Sequence, residues 1–89
     1  MFDKIKDGDL ITLKLASGEE VIAKFTGKAD TYISIDKALV LMQGPQGLAF
    51  GTFFSTAKQE EPFNIATDKI ITIAHINDKI ADEYNRVFS

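Results

Sequence analysis

Eighty-nine residues, no cysteine, one histidine and a formal charge of −3 describe one small domain spanning 1–89. They exclude a disulfide framework, a four-ligand Cys/His zinc site and any global attraction to nucleic acid. The opening "MFDKIKDGD" lacks an apolar signal core and no apolar run nears the ~20 residues a bilayer span needs, so the sequence predicts a cytoplasmic protein without membrane association.

The elements follow in chain order. "LITLKL" (10–15) alternates, setting Ile11, Leu13 and Leu15 against Thr12 and Lys14, the period of a half-buried strand. "ASGEE" supplies a turn around Gly18, and "VIAKF" (21–25) alternates again, so the two runs form a β-hairpin. Gly27 then breaks the pattern where a strand must bend or bulge. "YISIDKALVLM" (32–42) is a long third strand, kinked around Asp36-Lys37, and "QGPQG" (43–47) is a turn by composition. "LAFGTFFST" (48–56) is a fourth strand with Gly51 inside it. "AKQEEP" is a polar loop ended by Pro62, and "KIITIAHI" (69–76) is a fifth strand.

Beyond it the period changes. Ile80, Tyr84, Val87 and Phe88 fall at i, i+4, i+7 and i+8, one face of a helix over roughly 78–88, with Asn77 as N-cap. A helix of about twelve residues is marginal alone and must dock on something.

Five short, strongly bent antiparallel strands with glycines mid-strand predict a mostly-β chain, a small barrel of the SH3-like or OB-like kind with a C-terminal helix. Strands four and five are its ends and carry Phe50, Phe53, Phe54, Ile70, Ile71, Ile73 and Ile76. Neither is blunted by proline, so each must be covered, by the terminal helix or by another copy pairing edge to edge.

No chemistry of catalysis is legible. The serines lack a nucleophile elbow, and "GPQG" has no lysine in P-loop spacing. Glu19-Glu20 and Glu60-Glu61 read as solvated turns, and His75 as a polar strand residue. The chain reads as a non-enzyme without cofactor or metal.

The stretch "DLITLKLASGEEVIAKFTGKADTYISI" resembles the first motif of the Sm/LSm-like (Hfq-like) RNA-binding family. Gly18, Gly27 and Asp30 fall on that family's turn glycine, bend glycine and loop aspartate, and "DKIITIAHI" falls on its last strand. The resemblance implies an Sm-like barrel whose copies pair strands four and five into a homo-oligomeric ring. It also implies single-stranded RNA held at the corner, with Tyr32 as stacking platform, Ser34 as polar contact, Asp30 as loop brace and Lys69 meeting a phosphate or base. The pattern is incomplete. Serine replaces the usual asparagine at position 34, the arginine-glycine pair before the last strand is missing, and Asp68 stands beside Lys69. A non-enzymatic structural or adaptor module that oligomerises without nucleic acid therefore stays open beside the RNA-binding ring.

Overall fold

The computed structural model describes residues 4–53, 58 and 61–88. β1 (Leu10–Leu15) and β2 (Glu20–Lys28) form the expected hairpin, with Leu13 opposite Val21 and Ile11 opposite Ala23. β3 runs from Tyr32 to Gly44, and β4 from Gly47 to Thr52. Two further strands follow, β5 (Phe63–Ala66) and β6 (Ile70–His75), separated by a single 3-10 turn at Thr67–Lys69. The helix α1 spans Asp78–Val87.

Three expectations need correction. The strands number six, because "FNIA" after Pro62 forms a short ladder with the first half of β3. The predicted fourth strand over 48–56 is shorter at its far end, with residues 54–56 outside the described part of the chain. More importantly, the sheet is not closed into a barrel. Its order is β4-β3-β2-β1-β6, with β5 as a branch on β3, and among the described residues no ladder joins β4 or β5 to β6. Closure needs a continuous hydrogen-bonded path around the sheet. Here the 3-10 turn carries the chain from β5 directly onto β1, where β6 pairs Leu13 with Ile73. The fold is an open antiparallel sheet with one helix packed on it.

The thirteen residues of β3 organise this arrangement. One edge follows β2 throughout, while the other takes β5 along Tyr32–Ile35 and β4 along Leu39–Gly44. Between those two partners the strand breaks register. Ile22 faces Leu39 and Lys24 faces Asp36, so Ala23 is spanned by both Lys37 and Ala38. Such a bulge rotates the strand and re-aims its side chains. Lys37 takes a φ of 52°, the one left-handed non-glycine residue described. A second register shift lies between Phe25 and Gly27, where Gly27 has a φ of 154°.

The inner face of the sheet gathers Ile11, Leu13, Val21, Phe25, Ile33, Ile35, Ile65 and Ile73 into the main core. Each such side chain contributes roughly 1.5–3 kcal/mol by leaving water. The outer face carries a smaller apolar stripe, Ile22, Leu39, Leu41 and Phe50, and α1 docks there through Ile80, Tyr84 and Phe88. Val87, the fourth residue of the predicted helical face, is exposed instead. Asn77 caps the helix, its Oδ1 accepting from the Ile80 N–H at 2.9 Å. No helix among the described residues is long and apolar enough to cross a membrane.

Tyr84 is only 2 % exposed, and its hydroxyl donates to the Lys37 carbonyl at 2.7 Å, with the Asp36 carbonyl at 3.4 Å. Burial, with the Asp36 carboxylate adding to it, pushes the phenol well above its ordinary value, so it stays a donor at all ordinary pH. Tyr84→Phe should therefore lower stability by about 1 kcal/mol, the worth of one buried hydrogen bond. Lys37→Gly should act in the opposite direction by up to about 1 kcal/mol, since glycine enters the left-handed region without its side-chain penalty. Urea titrations of the two variants check both signs.

Candidate functional site

The corner between β2 and β3 is fixed by backbone and not by the aspartate. The Ala29 N–H donates to the Tyr32 carbonyl at 2.8 Å, closing the turn. From the 3-10 segment, the Thr67 N–H and hydroxyl both donate to the Thr31 carbonyl, at 2.9 and 3.2 Å. Asp30 is exposed at the tip, and its carboxylate makes no hydrogen bond to a described residue. Thr67 does the bracing that the resemblance assigned to Asp30.

Tyr32 opens β3 and stays 40 % exposed. Its neighbours Ile33 and Ile35 point into the core, and strand alternation puts Tyr32 and Ser34 on the opposite face. Ser34 is half-buried there, its hydroxyl accepting from the Thr26 hydroxyl at 2.8 Å across the β2–β3 ladder. Tyr32 and Ser34 thus stand on one face, one ladder row apart, with Asp30 at the rim.

Lys69 ends the 3-10 turn, its carbonyl accepting from the Ala16 N–H at 2.8 Å. It lines an open depression of about 570 Å³ with Leu15, Ala16, Phe53, Asn64 and Ile65. This depression lies between β5 and the β1–β2 turn, at the seam where the sheet fails to close. Asp30, Tyr32 and Ser34 are not among its walls. The four residues singled out in the sequence therefore fall into two neighbouring groups, linked through the Thr31–Thr67 contact.

One polar pair was not anticipated. His75 Nε2 lies 2.9 Å from Asp9 Oδ2, and the same oxygen accepts from the Lys6 N–H at 2.9 Å. The Phe25 N–H donates to the Asp9 carbonyl at 2.8 Å. Asp9 thereby ties the segment before β1 to both β2 and β6. The Lys6 N–H first, and His75 second, hold its carboxyl below the ordinary value of 3.8. The signal for it was present as a lone histidine at the end of a strand, but no spacing rule joins positions 9 and 75. Among the described residues no cluster of His, Asp and Glu is arranged to hold a metal. No family model matches the chain, and no curated protein matches it.

Because the folded-state value of Asp9 is depressed, its contribution to stability is complete above the unfolded value and fades as pH falls through the folded one. Asp9→Asn should melt below the wild type at pH 7, and the gap should close in acid, below the ordinary aspartate value of 3.8. Thermal melts at the two pH values check it.

Proposed function

We propose that the protein is a non-enzymatic Sm-like subunit that assembles head to tail through its two sheet edges and presents the Asp30–Ser34 corners to single-stranded RNA in the cytoplasm. The observation that carries the assembly is the pair of unpaired edges. β4 and β6 end the sheet, neither contains lysine or proline, and large apolar side chains stand exposed beside them. Leu48 is 54 % exposed and Ile71 59 %, while Met42, next to β4 in the ladder, is 49 % exposed. Natural edges are blunted by charge, proline or cover; these strands contain no lysine or proline, and among the described residues no further strand pairs with either edge. Because β4 and β6 are different surfaces, pairing one with the other is heterologous, which closes into a ring where the rotation allows and otherwise propagates as a filament.

The RNA reading rests on the corner. An aromatic ring on a polar face stacks on any base, worth roughly 1–3 kcal/mol per base, and a ring of copies multiplies weak contacts into avidity. The adaptor reading is favoured by one observation of its own. The chain is acidic, and Asp30 and Asp68, both exposed, lie at this end of the sheet.

Native mass spectrometry of the untagged protein should give one closed species above a dimer, and Leu48→Lys or Ile71→Lys should disperse it to folded monomers. A monomeric wild type sinks the assembly. RNA binding followed by fluorescence anisotropy should weaken as salt rises. Tyr32→Ala should cost about tenfold or more in affinity with the assembly intact, the lower part of the stacking range. An intact assembly with no RNA affinity at low salt makes the adaptor the correct reading.

A further inference from the structure

We propose that the free edge of β5 is a docking groove for the extended C-terminal segment of another protein. The segment adds as a strand along the open seam, seats an apolar side chain in the depression there and places its terminal carboxylate at Lys69. This groove is separate from the Tyr32–Ser34 face and from the β4 and β6 edges of the proposed assembly.

Register fixes which backbone groups of β5 are engaged. The Thr67 N–H donates to the Thr31 carbonyl at 2.9 Å, so Thr31–Thr67 is a hydrogen-bonded row. The ladder continues from it through Tyr32–Ala66, Ile33–Ile65, Ser34–Asn64 and Ile35–Phe63. Hydrogen-bonded and non-hydrogen-bonded rows alternate along an antiparallel pair. Phe63 and Ile65 therefore turn their N–H and C=O groups to β3, and Asn64 and Ala66 turn theirs away from it. Among the described residues β5 has no second strand neighbour, and those outward groups meet no backbone partner. Such an edge is a template for an added strand, the main-chain half of peptide recognition by β-augmentation.

The surroundings of that edge select the peptide. The depression of about 570 Å³ lies against it, with Leu15, Phe53 and Ile65 as apolar walls. Ile65 is buried in the main core and Phe53 packs against that core, so an inward side chain of the added strand extends the core layer. Outward side chains fall beside Asn64 and Ala66, both exposed. The fitting sequence thus alternates apolar with polar.

The chain itself sets where the added strand stops. The Ala16 N–H donates to the Lys69 carbonyl at 2.8 Å, joining the β1–β2 turn to the 3-10 turn across one end of the depression. A strand lying along β5 meets this bridge just past Ala66 and ends there. Lys69 is the one charged residue among the walls. It is exposed, and its ammonium makes no ion pair with a described residue. Asp68 and Glu19 are not among the walls, and the Glu19 carboxylate accepts from the Ser17 hydroxyl. A carboxylate is favoured beside Lys69 and an ammonium is not, so the terminus at the bridge is the C-terminus and the segment runs parallel to β5. A second copy pairing through β4 or β6 fits less well, because neither strand contains a carboxylate.

Ala66 provides the probe. Its φ of −62° is the value that a proline ring imposes, and its N–H faces the seam. Ala66→Pro therefore removes an outward donor and blocks the edge while leaving every bond to β3 in place. The test follows fluorescence anisotropy of the N-terminally labelled peptide Ser-Thr-Val-Thr-Val, and of two companions ending in Leu or Phe, each as free acid and as C-terminal amide. At least one free acid should bind wild type, and its amide, which lacks the terminal charge, should bind about tenfold more weakly. Lys69→Ala should lose the same factor of about ten on the acid and change the amide by less than about twofold. Ala66→Pro should lose about tenfold or more on both forms. Should Ala66→Pro fail to fold by circular dichroism, the cycle of Lys69→Ala against acid and amide decides the question. Equal binding of acid and amide, or acid affinity unchanged in Lys69→Ala or in folded Ala66→Pro, overturns the proposal. No binding of any of the three acids overturns it as well, and dispersal of the assembly by Ala66→Pro then assigns the edge to a second copy.

Discussion

The bend of β3 at Asp36–Lys37 is the constraint on which the other elements depend. A thirteen-residue strand that kept one register would offer a single partner along its free edge. By breaking at the bulge opposite Ala23, β3 gives its first half to β5 and its second half to β4. The left-handed Lys37 is an expensive way to make that turn, at about 1–2 kcal/mol for a residue with a side chain. Tyr84 offsets the cost by bringing a buried donor to the Lys37 carbonyl. The helix thus contributes more than an apolar lid, since its central residue is bonded to the bend that splits the sheet's partners.

That arrangement explains why α1 does not cover the edges. Ile80, Tyr84 and Phe88 are drawn to Ile22 and Leu39 beside the bend, and Phe50 and Ile76 join the same cluster. The apolar side chains of the final strands are divided accordingly. Ile70 and Ile73 enter the main core, Phe50 goes under the helix, and Ile71, Leu48 and Met42 are left outside. Gly51 belongs to the same economy of space, because a Cβ there would come within 2.7 Å of Met42 Cε. Glycine lets the Met42 side chain lie across β4, at the edge where another copy would pair.

Much of this was legible in the sequence where period and punctuation agreed. The β1–β2 hairpin, the glycine bulge at 27, the kink at Asp36-Lys37 and the capped helix all rest on local rules, and the structure places them there. That the sheet stays open was not legible, because closure is a property of which strands meet. The deciding feature is a three-residue 3-10 turn that alters no hydrophobic period. β5 was hidden for a related reason. At four residues it is too short to show alternation, and Pro62 just before it signals a break. The site suffered from both gaps. Tyr32 and Ser34 could be put on one face by counting, but the free edge at Asn64 and Ala66 follows only from the register of a strand that the sequence conceals.

On the reading proposed above, an acidic chain needs its charges arranged locally at the corner. Asp30 and Asp68 bring negative charge to this end of the sheet, and Lys69 opposes it. With a screening length of about 8 Å at physiological ionic strength, the charges that count most are those nearest the corner, which include Lys28 at the end of β2. A site built this way gains little from phosphates, so its free energy must come from stacking and from base edges. On the proposed reading the exposed ring of Tyr32 supplies the stacking. Low affinity per corner is then a consequence of the charge, and only repetition around an assembly raises it. The exposed edges and the acidic corner bear on the same proposal, because contacts that are weak at one corner add up when several copies present them to one strand.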